Sequence, residues 1–535
     1  MTKRIVTFEP SGLRIKADET VTILDSARRL GLYLPSECGG NGTCGKCLVL
    51  VEPPPKPTDV DYTHISQSDL ESGIRLACQH RIRRDMRVAM KQTATSVKIL
   101  IDGVLSTEKW NIDAGLESQK GVAIDLGTTT IVAYLLDLET GIQIGHAACL
   151  NPQIMYGEDV MSRISYAVLE DGGAEILRNI VVRRIEELII ELTESARVRP
   201  QDISRLTMVG NPAMHHLILG LNTKPLGVAP YEPVIKNALN KSGEELGFTN
   251  IKKAGGYLAP NIAGFVGGDT AAFILSQRLD STDKIVLGID IGTNGEIVLS
   301  VKGELFCCSA AAGSAFEGAT ILHGMRGQEG AIEYVSISDP NKAPEISVIG
   351  NIPPKGICGS GIVDIVSELK ASGIIESSGR MLESSRVVDL EGVKAYVIIR
   401  PGEDKSQQSI FFTQKDIRQV QLAKGAILAG ASILMHSTGV TVADIDRLLL
   451  AGAFGNYIDP KSALSIGLLP PVDIERVIPV GNAAGEGAKR MLLSLQERAL
   501  IERVVDHVNY IELAQYEDFA RIFSRATILD RRMPD

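Results

Sequence analysis

At 535 residues the chain is longer than one hydrophobic core usually serves, so it divides into several domains. Hydrophobic residues at 44% and charged residues at 22% are ordinary globular proportions, which excludes a disordered or fibrous chain. The formal net charge of −10, with basic residues scattered along the chain, excludes the electrostatic footprint of a nucleic-acid binder.

The first residues, "MTKRIVTFEPSG", contain no apolar signal core, and no later stretch is a long unbroken apolar run. The expectation is a cytoplasmic protein that does not enter a membrane. Residues 3–8 and 12–16 read as two short strands around the turn "EPSG". "TVTILDSARRLGLYLP" reads as a helix opened by Thr20, with apolar spacing at Ile23, Leu24, Ala27 and Leu30, and stopped by Gly31. That helix delivers the chain to "SECGGNGTCGKCLVL", where three cysteines and four glycines share fifteen residues. A strand, a proline-rich loop and a fourth cysteine follow. The locally basic "RIRRDMR" at 81–87 reads as a solvated face before a final strand.

Eight cysteines in a chain expected to be cytoplasmic suit metal binding or buried packing better than disulfides, and four of them precede position 80. Cys38, Cys44, Cys47 and Cys78 are separated by five, two and thirty residues. Zinc sites favour two short ligand pairs, whereas a [2Fe–2S] cluster takes three thiolates from one loop and a fourth from afar. Gly39, Gly40, Gly42 and Gly45 let backbone amides turn toward the sulfurs, as a negative cluster requires. Zinc and free buried thiols are the alternatives. Cys149, Cys307, Cys308 and Cys358 have no such spacing and read as buried small residues.

Residues 95–118 show little periodicity, contain Trp110, and read as a linker packed on a neighbour. From 119 onward strands and helices alternate, an α/β pattern, with helices expected over 173–197 and near 362–372 and 415–437. "GVAIDLGTTTIVAYLLD" and "VLGIDIGTNGEIVLSV" repeat the order strand, Asp, Gly, Thr, strand, which predicts two similar lobes. Neither is a Walker A loop nor a dinucleotide fingerprint. Facing each other, they clamp a nucleoside triphosphate. The amides and hydroxyls around Gly127, Thr128, Thr129, Thr130, Gly292, Thr293, Asn294, Gly295 and Glu296 cradle phosphate, and Asp125 and Asp290 hold Mg²⁺ directly or through water. In "LLLAGAFGNYIDP" the small residues let an adenosine ring approach the backbone, and tight strand–helix packing is the alternative. Asp269 in "GGDT" either positions water or magnesium or caps the helix that follows. His215 and His216 lack companions at metal-ligand spacing and read as packing at a helix start.

Together the two loops and the small-residue segment resemble the phosphate-1, phosphate-2 and adenosine motifs of the acetate/sugar kinase, heat-shock protein 70 and actin (ASKHA) superfamily. "NPQIMYGEDVMSRI", "MVGNPAMHHLILG", "NIAGFVGGDTAA", "SAAAGSAFEGA" and "ICGSGIVDIV" then punctuate the chain. With the cysteine loop they resemble the ATP-dependent reductive activators of corrinoid proteins, over nearly the whole length. The fold this implies is an α+β ferredoxin-like (β-grasp) domain over 1–94, a linker over 95–118, and a two-lobed α/β ASKHA ATPase over 119–284 and 285–535.

What the resemblance implies for function is ATP-driven return of an inactive Co(II) corrinoid protein to Co(I), within a methyltransferase system, with electrons from an external low-potential donor. Cys38, Cys44, Cys47 and Cys78 would carry the [2Fe–2S] cluster, Asp125, Asp269 and Asp290 the ATP chemistry with Mg²⁺, and Gly452, Ala453, Phe454, Gly455 and Asn456 the adenosine. Ser309 or Ser314 is a candidate oxygen ligand to cobalt. The stretch before the first phosphate loop is shorter than in larger members, which argues against an extra middle or dimerisation domain; the C-terminus lacks the cysteine-rich tail of some archaeal members, so one cluster per chain is expected. A homodimer stays open. So do three other readings: an electron activator of another low-potential enzyme, a chaperone-like reactivating ATPase, and a small-molecule kinase with a redox domain.

Overall fold

The computed structural model describes every residue except 1–2, 10, 91–100, 105–110, 115–118, 404–407, 456 and 535. The N-terminal unit is a mixed five-stranded sheet. β1 (Arg4–Glu9) and β2 (Leu13–Ala17) form the expected hairpin, and β3 (Leu48–Glu52), β4 (Ile74–Leu76) and β5 (Met86–Ala89) complete the order β2-β1-β5-β3-β4. β1 and β5 run parallel, and the other pairs are antiparallel. Along β3 exposed and buried positions alternate, as in a sheet with one wet face. The buried face packs Val6, Phe8, Val49, Val51 and Val88 against Ile23, Leu24 and Ala27 of the helix Ile23–Arg29. That helix starts two residues later than expected. Thr22 rather than Thr20 is its N-cap, because Asp25 lies three residues on and completes a reciprocal capping box.

Two six-stranded sheets follow, and they repeat one plan. In the first, β6 (Lys120–Leu126), β7 (Thr130–Asp137) and β8 (Gln143–Leu150) form an antiparallel meander. β9 (Ile203–Gly210) lies parallel to β6, and β11 (Gly255–Leu258) and β10 (Leu239–Ser242) extend the edge. In the second, β12 (Ile285–Ile291), β13 (Gly295–Val301) and β14 (Glu304–Ala310) form the same meander, and Arg447–Ala451 lies parallel to β12. β6 and β12 are apolar and buried along most of their length, each relieved near its C-terminal end only at Asp125 and Asp290. Both aspartates therefore emerge at the same end of their sheets.

Helices Gly268–Gln277 and Ala483–Leu493 cross between the sheets, in a shared core with Val132 and Tyr134 of the first sheet and Val286, Val298 and Leu449 of the second. At the crossing Gly487 lies against the Ala272 carbonyl so closely that a Cβ would overlap it. The expected helices are found at Gly173–Ala196, Gly359–Ala371 and Gln414–Thr438. Two three-stranded sheets, not foreseen, are added to the second lobe. The described parts of the linker lie on the body: Val104 N donates to Val480 O (2.9 Å), and Asp113 pairs with Arg205 (2.7 Å). Trp110 is outside the described residues. Among the described residues no helix is long and apolar enough to cross a membrane.

Candidate functional site

The four N-terminal cysteines converge in two pairs. Cys38 and Cys44 share a hydrogen bond, as do Cys47 and Cys78. The sharing pulls the Cys38 and Cys78 thiols below the usual range and pushes Cys44 and Cys47 above it. Amides of Gly40, Thr43 and Cys44 point at the Cys38 sulfur, and Gln79 Nε2 donates to Cys78 Sγ (3.3 Å). Gly40, at φ +114°, takes a conformation that side chains rarely adopt, and it is this that aims its amide inward. No group of three or more His, Cys, Asp or Glu side chains among the described residues is arranged as a single-ion site. Two thiol pairs ringed by amide donors fit a two-iron cluster, to which these four sulfurs would be the protein ligands.

The second site lies between the large sheets. Asp125, Gly127, Thr128, Thr129 and Thr130 line one wall of a cleft. Asp290, Gly292, Thr293, Asn294 and Glu296 line the other, with Asp269 at the start of Gly268–Gln277. Asn482 Nδ2 donates to Asp125 Oδ2 (2.8 Å), and Asn211 Nδ2 donates to Thr128 Oγ1 (2.8 Å). Glu317 bridges the walls, accepting from Thr129 Oγ1 (3.0 Å) on one loop and from Thr293 Oγ1 on the other. Gly452 crosses beneath Asp290 at φ +82°, where a Cβ would strike the carboxylate.

Asp125 and Asp290 are both raised to about 7, first by burial; the Asn482 hydrogen bond holds Asp125 back against a smaller push from Asp269, and Asp269 and Asp125 add to the rise at Asp290. Asp269 and Glu296 are raised in the same way, first by burial. The four carboxyls do not form a ready cage. This suits Mg²⁺, which takes one or two carboxylates plus substrate phosphates and keeps its waters. Because these folded-state values lie above the unfolded ones, the native state holds the extra protons between about pH 4 and pH 7, and stability falls as pH rises through that window. Mg²⁺ is therefore expected to raise the melting temperature of the nucleotide-free protein more at about pH 8 than at about pH 5.5, with proton release on binding. Thermal scans at the two pH values check this; equal shifts would remove the cluster as the cation's seat.

Not every residue singled out from the sequence reaches the cleft. Gly295 packs on Ile427 and Gly455 on Leu450, away from the lining. Ala453 and Phe454 belong to the helical turn Gly452–Gly455, and Asn456 lies outside the described residues. Asp269 lines the cleft but is not the helix cap: Gly267 is the N-cap, no side chain caps the helix, and Asp269 lies in its first turn with Oδ1 accepting from the adjacent Thr270 N (2.7 Å). His216 is used in packing, with Nδ1 on Pro212 O (2.7 Å) and Nε2 accepting from Val234 N (2.9 Å). Ser309 contacts Glu296, and Ser314 lies in the loop after β14, where Ser314 O accepts from Glu317 N (3.1 Å). Cys307, Cys308 and Cys358 are buried as expected, Cys358 also bordering the cleft ahead of the helix Gly359–Ala371, whereas Cys149, on the outer strand β8, is only partly buried. Sequence reasoning missed Asn211, Glu317, Arg326 and Asn482. Glu317 stood inside a quoted motif, and Asn482 opens the small-residue run "NAAGEGA", a signal like the one used at Gly452.

Comparison with known proteins covers the chain from end to end. The family described as "2Fe-2S iron-sulfur cluster binding domain" matches residues 6–83, "RACo middle region" matches 120–282, and "C-terminal domain of RACo the ASKHA domain" matches 284–534. The corrinoid activation enzyme RamQ of Eubacterium limosum is 37% identical over 421 residues, 76% of this chain and 70% of that protein. A [Co(II) methylated amine-specific corrinoid protein] reductase of Methanosarcina barkeri is 24% identical over 431 residues, 72% of each chain. The solved structure of a reductive activator for corrinoid, iron-sulfur protein superposes with a TM-score of 0.72 at 30% identity, over 98% of both chains.

Proposed function

The chain belongs to the RACo family of reductive activators of corrinoid proteins, and on that premise we propose how its residues divide the work of returning a Co(II) corrinoid protein to Co(I) at the expense of ATP. The observation that carries the reading is the presence, in one chain, of four paired thiols, three from one loop and one from afar, and a two-lobed nucleotide cleft. When bound, the [2Fe–2S] cluster supplies single electrons at low potential, roughly −400 mV for the plant-type relatives of this fold. Cys38, Cys44, Cys47 and Cys78 would hold the cluster, and the Gly40, Thr43 and Cys44 amides would stabilise its negative charge.

In the cleft Asp125 and Asp290 hold Mg²⁺, and the Thr128, Thr129 and Thr293 hydroxyls with the adjacent amides orient the phosphates. The Gly452 turn and the Asn482 side chain bring the second lobe and the C-terminal return onto the two aspartates, so nucleotide bound there touches both lobes at once. Nucleotide then drives the cobalt reduction only to the extent that it binds one arrangement of the lobes better than another. A methyltransferase system as the setting, and an external low-potential donor that refills the cluster after each single-electron step, complete the reading. A homodimer is compatible with it.

The test is anaerobic: Co(II) corrinoid protein and a low-potential reductant, with and without Mg-ATP, followed by Co(I) absorbance. Co(I) formation only with ATP is the expected result. ATP hydrolysis without any change at cobalt across candidate corrinoid partners would instead favour a kinase or a reactivating ATPase.

A further inference from the structure

The cluster loop does not stand free of the ATPase. Arg28, at the end of the first helix, donates from Nε to Met155 O (2.5 Å) and from a terminal nitrogen to Gly39 O (2.7 Å), with its guanidinium 4.9 Å from the Tyr156 ring. Ser162 Oγ donates to Glu37 O (3.1 Å). Gly39 approaches Tyr156 O so closely that a Cβ would sit 2.7 Å from it. The residues on either side of Cys38 are therefore covered by residues 155–162 of the first lobe.

The same segment carries Glu158, and Glu158 ties this docking to the nucleotide cleft. Tyr33 Oη donates to Glu158 Oε1 (2.6 Å), and Arg326 of the second lobe approaches Glu158 Oε2 at 3.4 Å, with its guanidinium 5.8 Å from the Tyr33 ring. Arg326 also lines the cleft, within electrostatic reach of Glu317, the carboxylate that bridges the two phosphate loops. One guanidinium thus lies between the place for phosphate and the contact that holds the iron–sulfur unit.

We propose that Arg326 and Glu158 are positioning residues that couple nucleotide to the placement of the iron–sulfur unit: phosphate in the cleft draws Arg326 away from Glu158 and releases the cluster loop from the first lobe. Arg326 approaches a single oxygen of Glu158 at 3.4 Å and also hydrogen-bonds Tyr33, whereas a phosphate offers a guanidinium two parallel charge-assisted hydrogen bonds. Once Arg326 turns, Tyr33 and Glu158 lose the guanidinium that both contact, Arg163 remaining within electrostatic reach of Glu158, and the docking weakens. The release uncovers the Cys38 side of the loop for a partner's cobalt. This inference rests on the ATP site proposed above.

Linkage supplies a test that needs no corrinoid protein. If nucleotide loosens the docking, loosening the docking must tighten nucleotide by the same factor. Tyr33→Phe and Glu158→Gln, in the holoprotein, are expected to lower the Kd for a non-hydrolysable Mg-ATP analogue by about fivefold, the lower end of ordinary coupling. Tyr33 belongs to the iron–sulfur unit, so a merely structural role would leave that Kd unmoved. In the wild type the analogue is expected to speed amide hydrogen exchange over residues 33–39 and 155–162, and in Glu158→Gln exchange is fast before nucleotide is added. Binding of the analogue with exchange unchanged, or unaltered affinity in Tyr33→Phe, would overturn the coupling and leave the ATP site standing. No binding of the analogue by the wild type would remove the ATP site and the coupling with it.

Discussion

Replacing Cys47 with Ser is expected to abolish both the visible absorption of the cluster and Co(I) formation. Cys47 is the most buried of the four ligands, 2% exposed, in the core of the N-terminal unit and paired with Cys78. A hydroxyl there offers a harder and far less acidic donor, in a buried apolar cluster that also holds Val49, Leu76 and Ala77. Changes outside the ligand sphere of a metal site cost about 10–100-fold, so removal of a ligand is expected to exceed about 100-fold in Co(I) rate. Nucleotide binding is retained, because the cleft is built from the other lobes. The measurements are the absorption spectrum and the paramagnetic signal of the reduced protein. An intact spectrum in the variant would move the cluster to other ligands.

The complementary result is expected from Asp290→Asn: ATP hydrolysis falls by about 10²–10³-fold while the cluster spectrum stays that of the wild type. Asparagine keeps the shape but not the charge that Mg²⁺ needs, and in the wild type burial first, then the neighbouring Asp269 and Asp125, already raise Asp290, so the site depends on the cation to hold it ionised. Co(I) formation is expected to fall to the level seen without ATP. Wild-type hydrolysis by the variant would mean that phosphates bind elsewhere.

Much of this was legible because the signals are local or repeated. The five, two and thirty spacing of the cysteines follows from what one loop can wrap around a cluster, and the glycine positions from the need for inward amides. The repeat of strand, Asp, Gly and Thr predicted two lobes of one plan, and β6 and β12 share the same burial, broken at the same aspartate. The helix start at Thr22 was misread as Thr20 because the capping box, not the first threonine, decides where the amides find acceptors.

Glu317 illustrates what stayed hidden. Nothing in "SAFEG" announces that its carboxylate reaches two threonines separated from each other by most of a lobe, because that depends on how the sheets face. Asn482 meets Asp125 only because the chain returns from the second lobe to pack Ala483–Leu493 between the sheets.

By itself, then, the sequence determined the chemistry the protein can carry: thiols at cluster spacing, paired phosphate loops, and apolar residues enough for several domains. These depend on residues close in the chain, where spacing and backbone freedom decide the outcome. Only the tertiary structure decided which groups confront one another across domains, the Glu317 bridge and the contact of Tyr33, Glu158 and Arg326 among them. Those contacts depend on the rigid-body packing of sheets and helices, which is set by the sum of many apolar contacts and leaves no mark in the spacing of any one segment.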